Sequence, residues 1–232
     1  MATASPCDRC DGRCCHAYLV RVTGYDAWVI SSALDLPMED FLSYLPVPEG
    51  SAPGFMLDRS GATYGLALRQ RPGEGETACV FLRTQPDGRG RCSIYPHRPL
   101  VCRAFPAALD GGRAALREEL VCPPGSWETS AMALPSWRRQ LLALELERAI
   151  HRLVVSSWNE RVQGGPAGAV WPIRDYLAFL GRAYGRIAPL RGAAPRRGTA
   201  PAAWGRGGAP ATGSPRWTEI LERVRDSLDR GS

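Results

Sequence analysis

Eight cysteines are the residues of this sequence best suited to do chemistry, and all of them lie between residues 7 and 122. Four form a short N-terminal motif, and four are dispersed further along the chain. Thiolates are soft ligands, which select zinc, iron or an iron–sulfur cluster and disfavour calcium and magnesium. We therefore predict a metal site with these ligands: Cys7, Cys10, Cys14, Cys15, Cys79, Cys92, Cys102 and Cys122.

The N-terminal motif brings several sulfurs together over a short length of chain. Cys7 and Cys10 have the spacing that puts two thiolates within reach of one ion. The adjacent pair Cys14-Cys15 differs, because successive side chains of an extended segment point to opposite faces. Either two neighbouring sites share this pair or one polynuclear cluster takes both sulfurs, and the division of the ligands stays open. A disulfide framework is the disfavoured alternative, because a chain of this length does not need such cross-links.

Two arginines flank Cys102 in the sequence. Arg98 and Arg103 are predicted to neutralise thiolate charge from just outside the ligands, since eight thiolates carry more negative charge than two bound dications balance. The alternative for both arginines is an ordinary position on the surface.

Histidine is a weaker candidate ligand in this chain. His16 and His97 lie in or next to the cysteine motifs and could replace a thiolate, although eight cysteines already suffice. The third histidine, His151, lies between two arginines of a predicted helix, and we expect it to be exposed. The sequence identifies no catalytic residue and no site for an organic cofactor.

The cysteine motifs resemble those of a known family. Cys-Asp-Arg-Cys-Asp-Gly-Arg-Cys-Cys is followed by Cys79-Val-Phe-Leu and by Cys92-Ser-Ile-Tyr-Pro-His-Arg-Pro-Leu-Val-Cys-Arg-Ala-Phe-Pro106. Together they resemble the zinc- or iron-chelating CxxCxxCC family, the YkgJ-type cysteine-cluster proteins, over roughly residues 7–123. Cys122-Pro123 is similar to the closing Cys-Pro of that family. One departure is that three residues, and not two, separate Cys10 from Cys14.

The resemblance implies bound zinc or iron, with a 4Fe-4S cluster in some relatives. Flagellin lysine N-methylase is distantly similar and carries such a cysteine cluster, which implies methyl transfer as an activity and S-adenosylmethionine as a cofactor if that analogy holds. We therefore predict a metal-binding protein. The alternatives are an iron–sulfur-dependent enzyme resembling a protein lysine methylase, and a nucleic-acid or protein interaction module with structural zinc.

The elements that must position the cysteines are short. Thr23 and Asp26 are spaced as a capping box, which predicts a helix over 23–34. We expect a second short helix from Pro37 through 41–45, a strand or hairpin over 55–70, and a hairpin of 79–82 with 92–95 around the turn at 87–88. A single helical turn is expected at 97–103. The fold class is α+β, with a metal-stabilised cysteine-cluster module over 1–125.

The chain after the cysteines is predicted to be helical. A helical extension over 126–188, with helices from Pro135 and Pro172, should pack on the module. Residues 189–214 are rich in Arg, Gly, Pro and Ala and predict a flexible linker. An amphipathic helix over 215–230 follows, with Ser214 as its N-cap. This helix cannot bury its apolar stripe alone, so it either folds back or docks on a protein partner.

Composition limits the remaining functions. All 29 basic residues are arginine, which excludes Schiff-base lysine chemistry and lysine-dependent phosphate loops. The net charge of +6 belongs to the C-terminal part, because residues 1–122 hold 13 arginines against 14 acidic residues. This balance therefore says nothing about the cysteine-bearing part. The arginine-rich linker could contact nucleic acid through phosphate charge, but we expect a disordered tether and no nucleic-acid partner. No apolar segment resembles a secretory signal or a membrane span, so we expect a cytoplasmic protein without membrane contact.

Overall fold

The predicted α+β class is confirmed by the computed structural model, which combines small antiparallel sheets with a helical C-terminal part. The structure describes residues 10–48, 54–72, 77–110, 113–117, 120–123, 125–127, 134–191 and 212–230.

Short elements fill the first half of the chain and long helices the second. The helices are α1 (Arg13–Ala17), α2 (Gly24–Leu34), α3 (Met38–Phe41), α4 (Leu100–Ala104), α5 (Leu134–Gly164), α6 (Ile173–Ile187) and α7 (Pro215–Asp229). The strands are β1 (Leu42–Pro46), β2 (Phe55–Met56), β3 (Thr63–Leu68), β4 (Gln70–Pro72), β5 (Thr77–Cys79), β6 (Leu82–Thr84), β7 (Gly90–Cys92), β8 (Ala107–Asp110) and β9 (Arg113–Leu116). Single 3₁₀ turns cover Tyr95–His97 and Ala188–Arg191.

The largest sheet has three antiparallel strands in the order β1-β3-β2. Leu42 pairs with Leu68 and Phe55 with Tyr64. The predicted helix through 41–45 is therefore wrong beyond Phe41, where the chain becomes strand β1. The reason is that pairing with β3 stabilises the extended conformation of this segment, a tertiary effect that outweighs weak local helix propensity.

The capping box predicted at the start of α2 is confirmed. The Thr23 N–H donates to Asp26 Oδ2 at 2.9 Å, and the Asp26 N–H donates back to Thr23 Oγ1 at 3.3 Å. The second carboxylate oxygen, Asp26 Oδ1, accepts the Leu100 N–H at 2.9 Å. One buried side chain therefore begins α2 and also fixes the first residue of α4, the helix that carries Cys102.

The hairpin predicted around Asp87-Gly88 is present with shifted bounds. It joins β6 to β7, with Leu82 opposite Cys92 and Gly88 at a positive φ of 79°. Cys79 lies outside it, at the end of β5, and pairs with Gln70. The helical turn expected at 97–103 is found as α4, which begins at Leu100 after the 3₁₀ turn.

Helix α5 attaches the helical part to the sheet. Trp158 Nε1 donates to the Met56 carbonyl at 2.7 Å. The side-chain amide of Asn159 donates to the Gly54 carbonyl at 3.0 Å and accepts the Met56 N–H at 2.8 Å. These bonds satisfy backbone groups along the edge strand β2. On the same strand, Phe55 stacks on Tyr176 of α6 with ring centroids 3.9 Å apart, so one core runs through both parts.

The terminal helix α7 folds back on the protein, which was one of the two alternatives expected. Ser214 Oγ accepts the Trp217 N–H at 3.3 Å, as predicted for an N-cap. The apolar stripe packs into the core near α5 and α6 through Trp217, Ile220, Val224 and Leu228. Most of the predicted linker, residues 192–211, lies outside the described residues. Among the described helices, none is long and apolar enough to cross a bilayer.

The expectation that His151 is exposed on its helix is wrong. Its Nδ1 accepts the Gly24 N–H at 3.2 Å and lies 3.5 Å from the Tyr184 hydroxyl oxygen. Burial of the ring, followed by the charge of Arg152, lowers the pKa of His151 to about 4. The imidazole is therefore neutral at pH 7 and joins helices α2, α5 and α6.

Removing apolar atoms from the stripe of α7 should destabilise the whole protein. Ile220→Ala should lower the free energy of unfolding by about 2–3 kcal/mol, because Ile220 is buried between α7 and the core. Its exposed neighbour provides a control, since Glu219→Ala should change that energy by less than about 0.5 kcal/mol. Urea denaturation measures both values. Equal effects of the two variants would mean that α7 does not stay docked in solution.

Acidification should lower the free energy of unfolding, because His151 becomes protonated more readily in the unfolded chain. Its folded pKa lies below the ordinary value of 6.5, so the unfolded chain binds the proton more readily. The contribution of neutral His151 to the free energy of unfolding is therefore complete above pH 6.5, and it is lost as the pH falls toward 4. Between about pH 7 and about pH 5, the wild type should lose about 1–2 kcal/mol more than His151→Gln. Denaturation curves at both pH values measure this difference. Parallel losses in the two proteins would refute it, since every other titrating group is common to both.

Candidate metal centre

Seven of the eight predicted cysteine ligands lie in the described residues, and Cys7 lies outside them. The seven are free thiols. They come from separate elements: the loop before α1 (Cys10), α1 itself (Cys14 and Cys15), the ends of β5 and β7 (Cys79 and Cys92), α4 (Cys102) and the segment after β9 (Cys122).

These thiols lie in one neighbourhood of the fold. The Cys102 thiol is so close to Cys14, Cys79 and Cys92 that their negative charges would raise its pKa, in addition to the larger effect of burial. Burial is the largest effect on the Cys122 thiol and raises its pKa, whereas a hydrogen bond from Trp127 lowers it. The nearby charges of Cys14 and Cys10 raise this pKa further. Elements far apart in sequence therefore deliver their sulfurs to a common region.

The predicted geometry of Cys14 and Cys15 is wrong, because this pair lies in helix α1 and not in an extended segment. The Cys15 thiol donates a hydrogen bond to the Cys14 sulfur. This bond, with help from the charge of Arg98, lowers the pKa of Cys14 to about 7 and raises the pKa of Cys15. The two sulfurs thus lie side by side, and the opposite-face reason for assigning them to separate sites does not apply.

Three of the sulfurs accept backbone N–H groups, and a similar turn follows each of these cysteines. The Gly12 N–H donates to Cys10 Sγ at 3.3 Å. Cys79 receives the N–H groups of Phe81 and Leu82, and Cys92 receives that of Ile94. In each turn an amide two residues after the cysteine favours the thiolate. Burial acts more strongly in the other direction, so the pKa values of Cys79 and Cys92 are raised.

The two predicted arginines differ in what they contact. The Arg98 guanidinium lies 3.8 Å from the ring centroid of Tyr95, and its positive charge favours the thiolate forms of Cys14, Cys92 and Cys102. Arg103 instead donates from Nε to the Arg98 carbonyl at 2.8 Å and from Nη2 to the Pro96 carbonyl at 2.9 Å. Arg98 thus faces the thiols, and Arg103 holds the loop that carries Arg98.

The structure places the two candidate histidines in different surroundings. His16 lines a surface cavity with Asp11 and Arg13. His97 is buried, and burial together with the charge of Arg103 lowers its pKa.

A cavity of about 240 Å³ opens onto the thiol group. It is lined by Cys10, Cys14, Cys15 and Cys92, together with Tyr95 and Arg98. As placed, no three Cys, His, Asp or Glu side chains of the described residues stand in the geometry that holds an ion. The donor set nevertheless fits zinc or iron, because it consists of several convergent thiols, and it does not fit calcium or magnesium.

One contact that positions the site was missed in the sequence. Gly12 has a positive φ of 89°, and its loop packs backbone to backbone against Gly90 of β7. A Cβ atom at Gly90 would lie 2.7 Å from the Gly12 nitrogen and closer still to the Asp11 carbonyl. A glycine two residues before Cys92 was the sequence feature that could have indicated a close backbone approach. The loop that approaches it, at Gly12, is too distant in the chain to be inferred from the sequence.

A comparison with known protein families identifies the cysteine-bearing part of the chain. A profile of the family CxxCxxCC, described as "Putative zinc- or iron-chelating domain", matches residues 6–123, just over half of the chain. The protein therefore belongs to the CxxCxxCC family. No curated protein and no solved structure shows a significant match.

A methyl group at Gly90 should separate the N-terminal cysteine loop from β7. Gly90→Ala should lower the free energy of unfolding by about 1–3 kcal/mol, because backbone atoms must move to make room. Gly185→Ala in α6 is the matched control. A Cβ there meets nothing within 4 Å, so the change should be neutral or stabilising by up to about 1 kcal/mol. Thermal unfolding compares the variants, and equal stability would show that the loop does not dock on β7.

Proposed function

We propose that this protein binds zinc or iron through its clustered thiolates. The proposed ligands are drawn from Cys7, Cys10, Cys14, Cys15, Cys79, Cys92, Cys102 and Cys122. The observation that carries the proposal is the convergence of seven described thiols from separate elements. Arg98 is proposed to balance thiolate charge beside the ligands, and Arg103 to hold the Arg98 loop in place.

The energetics of the thiol group support a bound cation. Burial makes the thiolate forms of Cys79, Cys92 and Cys102 costly, as their raised pKa values indicate. The amides directed at Cys79 and Cys92, by contrast, stabilise thiolates. A metal ion resolves this conflict, because it supplies the positive charge that allows buried sulfurs to ionise. Bound metal would also link the loops and strands that carry its ligands.

A second candidate function is an iron–sulfur-dependent enzyme resembling a protein lysine methylase. The cavity of about 240 Å³ favours it, because structural metal sites are closed whereas catalytic sites keep an accessible position. Iron–sulfur chemistry would supply electron transfer when the cluster is bound. Reaction of S-adenosylmethionine with the metal-loaded protein would support the enzyme, and absence of any binding would favour a non-catalytic centre. We also propose a cytoplasmic location, where reductants keep such thiols unpaired.

Metal and acid-labile sulfide analysis of anaerobically purified protein tests the main proposal. Iron with sulfide and broad visible absorption indicates a cluster, whereas iron without sulfide indicates mononuclear iron. Colourless protein containing zinc indicates a zinc centre. A ratio near one metal ion per chain would remove the two-site arrangement. Protein that stays free of both metals, even after reconstitution, would refute metal binding.

Removing one central thiol should lower the metal content severalfold. Cys102→Ser replaces a soft ligand near Cys14, Cys79 and Cys92 by a hydroxyl group that binds zinc and iron poorly. Ala104→Ser is the control, since it adds a buried hydroxyl to the same helix and keeps every thiol. Elemental analysis of both variants, with circular dichroism to verify folding, measures the effect. Equal metal content in the two folded variants would exclude Cys102 as a ligand.

A further inference from the structure

A second cavity, of about 570 Å³, lies between α5, strand β3 and the start of α2. None of the described cysteines lines it. Val101 of α4 forms part of its wall, whereas the next residue, Cys102, belongs to the thiol group. A cleft of this volume is in the range that accommodates a small organic molecule.

Arginines give the cleft its polar character. Arg21, Arg148 and Arg152 all line it. Arg148 Nη1 pairs with Glu145 at 2.7 Å. Within the described part of the chain, the side chains of Arg21 and Arg152 form no hydrogen bond or ion pair. Two guanidinium groups at the cleft therefore remain available to an acceptor from outside the protein.

The acidic residues at the cleft are already engaged. Both oxygens of Asp26 accept hydrogen bonds, from the N–H and the hydroxyl of Thr23 and from the Leu100 N–H. Glu145 is held by Arg148. Neither carboxylate neutralises Arg21 or Arg152 by a direct contact, so the cleft retains positive charge.

The tautomer of His151 adds a further donor. Its Nδ1 accepts the Gly24 N–H, so the proton of the neutral ring is assigned to Nε2. Arg21, Arg152 and His151 thus all offer hydrogen-bond donors. This set suits an anionic group such as a phosphate or a carboxylate.

Valine and leucine side chains form much of the remaining wall of the cleft. Val22, Val47, Leu66, Leu144 and Val155 contribute to its walls. Gly65 leaves room on β3, where an added Cβ would lie 3.2 Å from an Arg21 guanidinium nitrogen. The preferred occupant therefore has an apolar body as well as an anionic group.

We propose that this cleft binds a small organic anion, in which a phosphate or carboxylate contacts Arg21 and Arg152 and an apolar body contacts the valine and leucine walls. The site is separate from the thiol group, so its occupancy can be measured whether or not the metal proposal holds.

Calorimetric titration of the full-length protein as purified, with its metal content measured alongside, tests the proposal. The probes are 1-naphthyl phosphate and 1-naphthoate, which distinguish the two anionic groups, and the uncharged 1-naphthol is the comparison. Saturable binding of either anion with much weaker binding of 1-naphthol is expected. No saturable binding of either anion at millimolar concentration, or equal binding of 1-naphthol, would overturn the proposal.

Matched variants locate the binding. Arg21→Gln and Arg152→Gln should each weaken binding about tenfold, because each removes a charge-assisted hydrogen bond. Arg182→Gln removes an exposed arginine of α6 that does not line the cleft, and it should bind like the wild type. Gly65→Val, which fills the wall beside Arg21, should also weaken binding. Retained affinity in all three cleft variants, or an equal loss in Arg182→Gln, would place any binding elsewhere.

Discussion

Removing several thiols from water at one place is the constraint on which the rest of the cysteine-bearing part depends. Burial raises the pKa values of Cys79, Cys92 and Cys102. Backbone amides favour the ionised forms of Cys79 and Cys92, and the Arg98 guanidinium favours those of Cys92 and Cys102. The protein therefore supplies part of the stabilisation that a thiolate needs. In the proposed metal-bound state, the cation supplies the remainder, and metal binding becomes part of the free energy of folding.

Contacts that do not involve sulfur hold several of the proposed ligands near one another. Asp26 fixes the start of α4 and so places Cys102, independently of any ion. Cys10 and Cys122 have less support, because they lie in loops outside the helices and strands. The inner ligands are thus positioned by the core, whereas the outer ones have more to gain from a bound ion.

Local signals in the sequence predicted local structure well. The capping box at Thr23 and Asp26 depends on residues three apart, and so does the N-cap at Ser214. Strand β1 could not be predicted in the same way, because its conformation depends on pairing with β3. Helix α1 has only five residues, too few to show a helical period, and the side-by-side placement of Cys14 and Cys15 was missed for that reason.

The candidate site was predictable in its residue types but not in its contacts. The cysteines were recognisable from their spacing and family resemblance, whereas the close approach of Gly90 to Gly12 joins residues far apart in the chain. Sequence proximity to Cys102 also could not separate Arg98 from Arg103. Only the fold distinguishes a guanidinium that faces the thiols from one that donates to backbone carbonyls.

The two proposed sites meet at helix α4. Val101 lines the arginine-rich cleft, Cys102 lies among the thiols, and Asp26 borders the cleft while it accepts the Leu100 N–H. Val101 and Cys102 are consecutive residues of one five-residue helix, so a ligand that displaced Val101 in the cleft would also displace Cys102. Because any such coupling between binding free energies is reciprocal, a metal ion that fixes Cys102 would equally restrict the wall of the cleft. Asp26 contributes to this arrangement by position, because it borders the cleft and holds the first residue of the helix that carries Cys102.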